Sequence, residues 1–278
     1  INLYKPTGIS SFSAIYKIKK KFNIKKIGHA GTLDPNAEGI LPIAVNKTTK
    51  LISFINSNSK KYIFRIKWGE QTSTDDSEGQ IINNSSIIPT DEEIKIIFTN
   101  FTGHIDQVPP KASAIKVNGK RAYSILREKR NFNLSEKKVF LKKIKLLGSK
   151  NNTSQILIEC GKGFYVRSLA RDMAHKLGTF GHVIELKRIK VGPFNTKTSI
   201  LLDDLLKIGQ SELEFNYIHS SISMLDDILA YEVEAKKDLY DLSMGKKIFI
   251  NKKKLIKTTL NLDKRKVVFL SNKGSIVS

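Results

Sequence analysis

The sequence predicts an α+β protein with a central mixed, largely antiparallel sheet flanked by helices, followed by a small β-rich region at the C-terminal end. Two observations lead there. Short apolar runs with strand periodicity, near 62–68 and 156–160, are interspersed with helical periodicities near 11–22, 90–98 and 167–177. These elements do not follow the regular strand–helix–strand alternation of a doubly wound parallel fold. At 278 residues the chain is long enough for one sizeable core and a small second domain.

Taken in order, Ser10 or Ser11 can cap a helix whose Ile15, Ile18 and Phe22 share one face. A glycine-rich turn over 28–35 interrupts it. Ile40 to Val45 reads as a buried strand, and Thr48 opens a short helix. Tyr62, Phe64, Ile66 and Trp68 alternate with Ile63, Arg65 and Lys67, giving a strand with one apolar face. Thr90-Asp91-Glu92-Glu93 is a capping box ahead of Ile94, Ile97 and Phe98. Asn118-Gly119 is a turn signal. Ile156 to Cys160 is a strand, Gly161-Lys162-Gly163 a turn, and Arg167 to Leu177 a helix stopped by Gly178. Val183, Leu186, Ile189 and Val191 suggest one more strand. An acidic stretch at 203–232 marks the domain boundary, with short strands expected at Lys247–Ile250, Lys254–Leu260 and Lys266–Leu270.

The composition narrows the function. No apolar run approaches the roughly 20 residues of a membrane span. The N-terminal residues, beginning at Ile1 rather than Met, have neither the basic nor the apolar region of a signal peptide. Cys160 is the only cysteine, which excludes an internal disulfide, argues against a cysteine-built metal site and suits a reducing cytoplasm. The formal charge is +22, and it is unevenly placed: residues 111–150 hold 13 Lys or Arg and two acids, whereas 201–230 hold six acids and one lysine. Lys- and Asn-rich codon bias would raise the charge uniformly, so this alternation points to a polyanionic partner, a nucleic acid.

The stretch 28–45, GHAGTLDPNAEGILPIAV, carries the chemistry. Asp34 stands between a glycine-rich approach and Pro35, and glycines at 28, 31 and 39 let the backbone bend and a ligand come close. A carboxylate held there can serve as nucleophile or base. On spacing alone, Asp34-Pro35 reads first as an ordinary Asx turn. The Gly-Lys-Ser/Thr ending of a P-loop is missing, which argues against a nucleoside triphosphate.

GHAGTLDPNAEGILP resembles the catalytic motif of the TruB-type tRNA pseudouridine synthases. Residues 5–11 (KPTGISS), 60–62 (KKY), 69–76 (GEQTSTDD), 108–123 (VPPKASAIKVNGKRAY), 161–168 (GKGFYVRS) and 182–188 (HVIELKR) resemble the family's other motifs, in order. The resemblance spans about 2–192. It implies the pseudouridine-synthase fold over 1–225, with a basic RNA-gripping insertion at about 105–150, and a small PUA-like RNA-binding domain over 226–278.

The reaction implied flips the T-loop uridine (position 55 in tRNA numbering), breaks its N-glycosidic bond, turns the uracil and rejoins it through carbon. No metal or organic cofactor enters it. The resemblance makes Asp34 the catalytic carboxylate, Arg167 the guanidinium that pairs with it, and Tyr62 the residue that stacks on the base and takes part in proton removal. A fixed counter-charge suits an enclosed carboxylate. His29 matches the histidine that stacks into the RNA loop. Lys5, Lys50, Asp76 and Tyr165 match residues near the substrate, and Leu186 matches a leucine of the pocket wall. Core packing accounts equally well for Tyr62 and Leu186 on pattern alone. Ala112 departs from the family, which commonly has an aromatic there. The T-arm of tRNA is the expected partner, with no membrane, no obligatory protein partner and a monomeric chain. A guide-RNA-dependent synthase and an RNA-binding or tRNA-folding module are the alternatives left open.

Overall fold

A computed structural model describes residues 1–55, 59–117, 119–128, 132–219, 230–249, 255–256, 269–272 and 275–276. In chain order the elements begin with β1 (Asn2–Lys5), α1 (Ser11–Lys21), β2 (Ile27–His29), β3 (Ala37–Val45) and α2 (Ile52–Ile55). Next come β4 (Lys60–Trp68), β5 (Glu70–Thr72), β6 (Ile81–Asn84), α3 (Asp91–Phe101), β7 (Gly103–Gln107), β8 (Lys116–Val117), β9 (Lys120–Arg121) and α4 (Ala122–Arg127). Then follow β10 (Lys137–Lys150), β11 (Thr153–Cys160), α5 (Val166–Lys176), β12 (Gly181–Val191), β13 (Phe194–Asn195), β14 (Ile200–Leu201), α6 (Leu202–Lys207) and α7 (Gln210–Glu212). The last are β15 (Ala230–Glu232), α8 (Lys236–Ser243), β16 (Leu255–Ile256), β17 (Phe269–Asn272) and β18 (Ser275–Ile276). The chain forms two compact units, one of Ile1–Pro35, Ile40–Asn58 and Val191–Ser278, the other of Asn36–Gly39 and Ser59–Lys190.

The second unit is built on strands ordered β12-β4-β11-β10-β7, with Ala37–Gly39 of β3 running parallel to β12. The β4–β11, β11–β10 and β10–β7 pairs are antiparallel, so the mixed, largely antiparallel sheet expected from the sequence is present. The alternation of β4 does what its pattern predicts: Lys60, Tyr62, Phe64, Ile66 and Trp68 turn inward. Tyr62 stands opposite Ile158, and Phe64 opposite Ile156. On this face Ile94 and Ile97 of α3 and Leu169, Ala170 and Met173 of α5 close a core in which most side chains are sealed from water. Each fully buried aliphatic or aromatic side chain contributes about 1.5–3 kcal/mol. The one polar group of Trp68 is satisfied within the core, its indole N–H donating to Ser154 Oγ at 2.8 Å. The capping box of α3 forms as read, Thr90 and Glu93 each binding the other's backbone N–H.

In the first unit, β14 runs parallel to β1, β1 lies beside β3, and β2 pairs antiparallel with β3. Ala30, Ile40, Ala44, Val191 and Phe194 form its buried cluster. Farther along the chain, β15 pairs parallel with β17 and antiparallel with β16, and β17 with β18. Of the strands expected there, Leu255–Ile256 and Phe269–Leu270 are present. Residues 247–249 lie in no strand, and Ile250, 254, 257–260 and 266–268 lie outside the described residues.

Two expectations are refined. The predicted Asn118-Gly119 turn has Asn118 outside the described residues, while Gly119 has φ +83. The basic segment 111–150 is two things: β8, β9 and α4 in its first half, and in its second the ladder strand β10, held by β7 and β11 on either side. Only the excursion between β7 and β10 stands outside that ladder.

Candidate active site

Asp34 lies in the first unit, half-buried, on the loop between β2 and β3. Its two neighbours are both fixed. Ser11 Oγ accepts from the Leu33 N–H and donates to the Leu33 carbonyl, each at 2.9 Å in a buried setting. The Pro35 carbonyl accepts from the Gly8 N–H at 3.0 Å and from Lys5 Nζ at 3.2 Å. Gly8 and Gly31, at φ +79 and +89, make the turns that allow this. The carboxylate is therefore carried on backbone clamped before and after it, the preorganisation that a catalytic group requires.

Lys5 is expected at the substrate, but the structure gives it another place. It is fully buried, and its ammonium donates to the carbonyls of Pro6, Ile9 and Pro35 at 2.7, 2.8 and 3.2 Å. It positions the Asp34 loop from inside. His29 sits half-buried on β2 opposite Ile43, and Lys50 is exposed on the 3₁₀ turn Asn46–Leu51. Glycines 28 and 39 are expected to admit a ligand, and the close approach they permit is to protein. A Cβ at Gly28 would meet Ile52, and one at Gly39, where φ is +113, would collide with the Arg188 carbonyl of β12.

The remaining candidates lie in the second unit. Tyr62 is 7% exposed and packs in the main core, and Leu186 packs against that core from β12, opposite Ala37. Arg167, in the first turn of α5, is 6% exposed. Its guanidinium donates to Asp76 Oδ2 at 2.9 Å, to the Thr74 carbonyl at 3.2 Å and to the Ala112 carbonyl at 3.1 Å. Asp76, expected as an acid near RNA, is a carboxylate that pairs with Arg167. Ala112 serves through its carbonyl, a contact indifferent to the side chain that the family's aromatic would supply.

Sequence reasoning missed the partners that hold α5. Arg171 is one turn beyond Arg167 on the same helix face, and it pairs with Asp75 and Asp172, each at 2.9 Å. Asp75 is at φ +59, a conformation that Asp tolerates, and this lets two consecutive aspartates reach two arginines. Burial pushes the Asp75 carboxyl up, against the pull of Arg171 and Arg167. Gln107 is 1% exposed; its amide accepts from the Tyr165 N–H at 3.0 Å and donates to the Tyr165 carbonyl at 3.1 Å. The signal available beforehand was the four-residue spacing of Arg167 and Arg171 beside the adjacent pair Asp75-Asp76. Lys60 and Cys160 form a further buried pair. Burial, with Arg188 adding to it, pushes the Lys60 ammonium down to about 8, and burial pushes the Cys160 thiol up to about 12, leaving an unreactive thiol.

Residues 19–166 match the model of the TruB family pseudouridylate synthase N-terminal domain. The chain belongs to the TruB family. Residues 167–230 match the family's tRNA pseudouridylate synthase B C-terminal domain. Among curated relatives, the tRNA pseudouridine synthase B of Ehrlichia ruminantium (strain Gardel) is 44% identical over 265 residues, covering 92% of this chain and 88% of that one. The protein of the same name from Sinorhizobium medicae (strain WSM419) is 43% identical, covering 87% and 77%. A solved structure of a Cbf5-Nop10-Gar1 complex superposes with a TM-score of 0.69 at 22% identity, covering 99% of this chain and 75% of that one, which establishes the pseudouridine-synthase fold. Asp34, Tyr62, Asp76 and Tyr165 fall within the TruB N-terminal match, Arg167 and Leu186 within the C-terminal one.

Proposed function

We propose that this chain is a tRNA pseudouridine synthase that flips the T-loop uridine at position 55 and isomerises it in place. The observation that carries the reading is Asp34, presented within the family's motif on a loop whose flanking residues are both clamped. In the reaction the N1–C1′ bond breaks, a C5–C1′ bond forms, the proton on C5 leaves and N1 regains one, so the atoms balance without a co-substrate. Asp34 is the carboxylate that acts on the flipped nucleotide. Tyr62 stacks on the uracil and takes part in proton removal, Arg167 supplies the counter-charge for Asp34, and Leu186 walls the base. Tyr165, held by Gln107, lines the substrate, and His29 fills the stack the uridine leaves, offsetting the few kcal/mol of unstacking. Lys50 contacts RNA, and Asp76 acts through Arg167. Residues 1–225 form the catalytic part, with the basic stretch at about 105–150 gripping the T-arm, and 226–278 a small PUA-like RNA-binding domain. The chain works as a monomer in the cytoplasm, without a cofactor or an obligatory protein partner.

Tritium release from C5 of uridine in an unmodified tRNA transcript tests this directly. One equivalent per tRNA is expected from the wild type and none from Asp34→Asn, with binding retained. Absence of release from naked, tightly bound tRNA would favour a guided enzyme or a binding module.

A further inference from the structure

Helix α1 covers the first unit with one face, using Ser11, Ala14, Ile15 and Ile18, and leaves the other in solvent. On that open face Phe12 and Tyr16 are 70% and 56% exposed, and their rings stack with centroids 6.3 Å apart and planes 19° from parallel. Lys19 and Lys20 follow at seven and eight residues from Phe12, which places them along the same stripe. From residue 11 to residue 33 there are six lysines and no acid. None of these six pairs with a carboxylate among the described residues. An aromatic pair at this spacing stabilises a helix by about 0.2–0.5 kcal/mol, which explains the contact between the rings but not their exposure among unpaired cations. Stacking rings flanked by unpaired ammonium groups are the combination by which proteins hold unpaired nucleic-acid strands. The surface also begins beside the reaction loop: Ser11, which grips Leu33 just before Asp34, is the residue adjacent to Phe12.

We propose that the exposed face of α1 is a second RNA-contact surface, on which unpaired bases of the substrate tRNA stack over Phe12 and Tyr16 while Lys19 and Lys20 meet phosphates. The proposal rests on tRNA being the substrate. It uses residues other than those of the basic stretch at 105–150, and at about 1.5 Å per residue it extends some 16 Å along the helix from the Asp34 loop.

The test compares Phe12→Ala/Tyr16→Ala, Phe12→Trp/Tyr16→Trp and Lys19→Gln/Lys20→Gln with the wild type. Affinity for an unmodified tRNA transcript is measured by fluorescence anisotropy across a salt series, and single-turnover tritium release is measured at saturating tRNA. The alanine pair is expected to bind about tenfold more weakly with its salt slope kept, as the loss of a stacking platform predicts. The tryptophan pair should bind like the wild type. The glutamine pair should lower the salt slope by about 1.5, the release of two phosphate contacts. All three should keep the wild-type rate at saturation. Affinity and salt slope unchanged in both the alanine and glutamine pairs would overturn the proposal, as would tryptophan variants no better than alanine ones. So would a wild-type dimer in RNA-free sedimentation that the alanine pair abolishes, since the face would then be covered by a second copy. Should the wild type release no tritium, the synthase reading fails, while the affinity comparison still decides the fate of this surface.

Discussion

Arg167 and Asp76 meet at 2.9 Å with 7% and 16% of their side chains exposed, so the guanidinium at the head of α5 is fixed before any substrate arrives. Removing one member of such an enclosed pair takes a buried ionic partner from the other, and about 3 kcal/mol of stability should be lost in Asp76→Ala by urea unfolding. The double variant Asp76→Ala/Arg167→Met should lose less than the sum of the two single changes. In kinetics, Arg167→Met should reduce turnover far more than tRNA affinity. Equal losses in both would remove the orienting role.

Ser11 is the second place to probe. Ser11→Ala strands a buried N–H and a buried carbonyl of Leu33, at a cost of about 1–3 kcal/mol. Because Leu33 precedes Asp34, single-turnover rate should fall about tenfold or more while tRNA affinity stays within twofold, the effect of a misplaced reacting group. A rate unchanged at saturating tRNA would show that the loop holds its shape without this clamp.

The basic stretch yields a sharper substitution set than charge alone suggests. Lys142 already pairs with Glu159 at 2.9 Å, whereas Lys137, Lys138 and Lys143 are exposed on β10. Neutralising those three should lower the salt slope of tRNA binding by about 2–3. Lys142→Gln should move it less. A slope indifferent to the triple change would mean that this edge of β10 faces only solvent.

Lys60 and Cys160 predict an unusual alkaline profile. Lys60 titrates near 8 in the folded chain and near 10.5 unfolded, so between these values the unfolded state holds the extra proton and stability rises with pH. Cys160, at about 12 folded and 9 unfolded, does the opposite above pH 9, where the folded state holds the extra proton. Urea unfolding should show a gain of about 1 kcal/mol from pH 8 to 9, a plateau to about 10.5 and a fall beyond it. In Cys160→Ala the rise should continue to about 10.5, and in Lys60→Met it should vanish.

Much of this was legible in the residues. The inward set of β4, the Thr90–Glu93 box and the Gly178 stop obey local rules, and the structure repeats them. What the chain did not disclose depends on long separations. Nothing local marks Ile200 and Leu201 as parallel partners of Leu3 and Tyr4. Strand β10 was hidden because its exposed lysines read as charge before they read as alternation. Lys5 enters the reading of the sequence through the resemblance alone, and only the fold shows the three carbonyls around its ammonium. In the site, Asp34 was visible through its motif, whereas the Asp75–Arg171 and Gln107–Tyr165 holds join residues 58 or more positions apart.

Ser10 and Ser11 looked interchangeable as helix caps, and the fold gives them unequal freedom. Ser10 accepts from the Ser13 N–H at 3.0 Å and meets the Ser13 hydroxyl at 2.8 Å, both in an exposed setting, and its capping bond is one that Asp, Asn or Thr performs as well. Ser11 must donate and accept at once where almost none of it reaches solvent. Asp brings no proton, Ala no oxygen, and Thr an extra methyl. Of two identical neighbours, one is open to exchange and the other is held to a hydroxyl by the two bonds it makes at once.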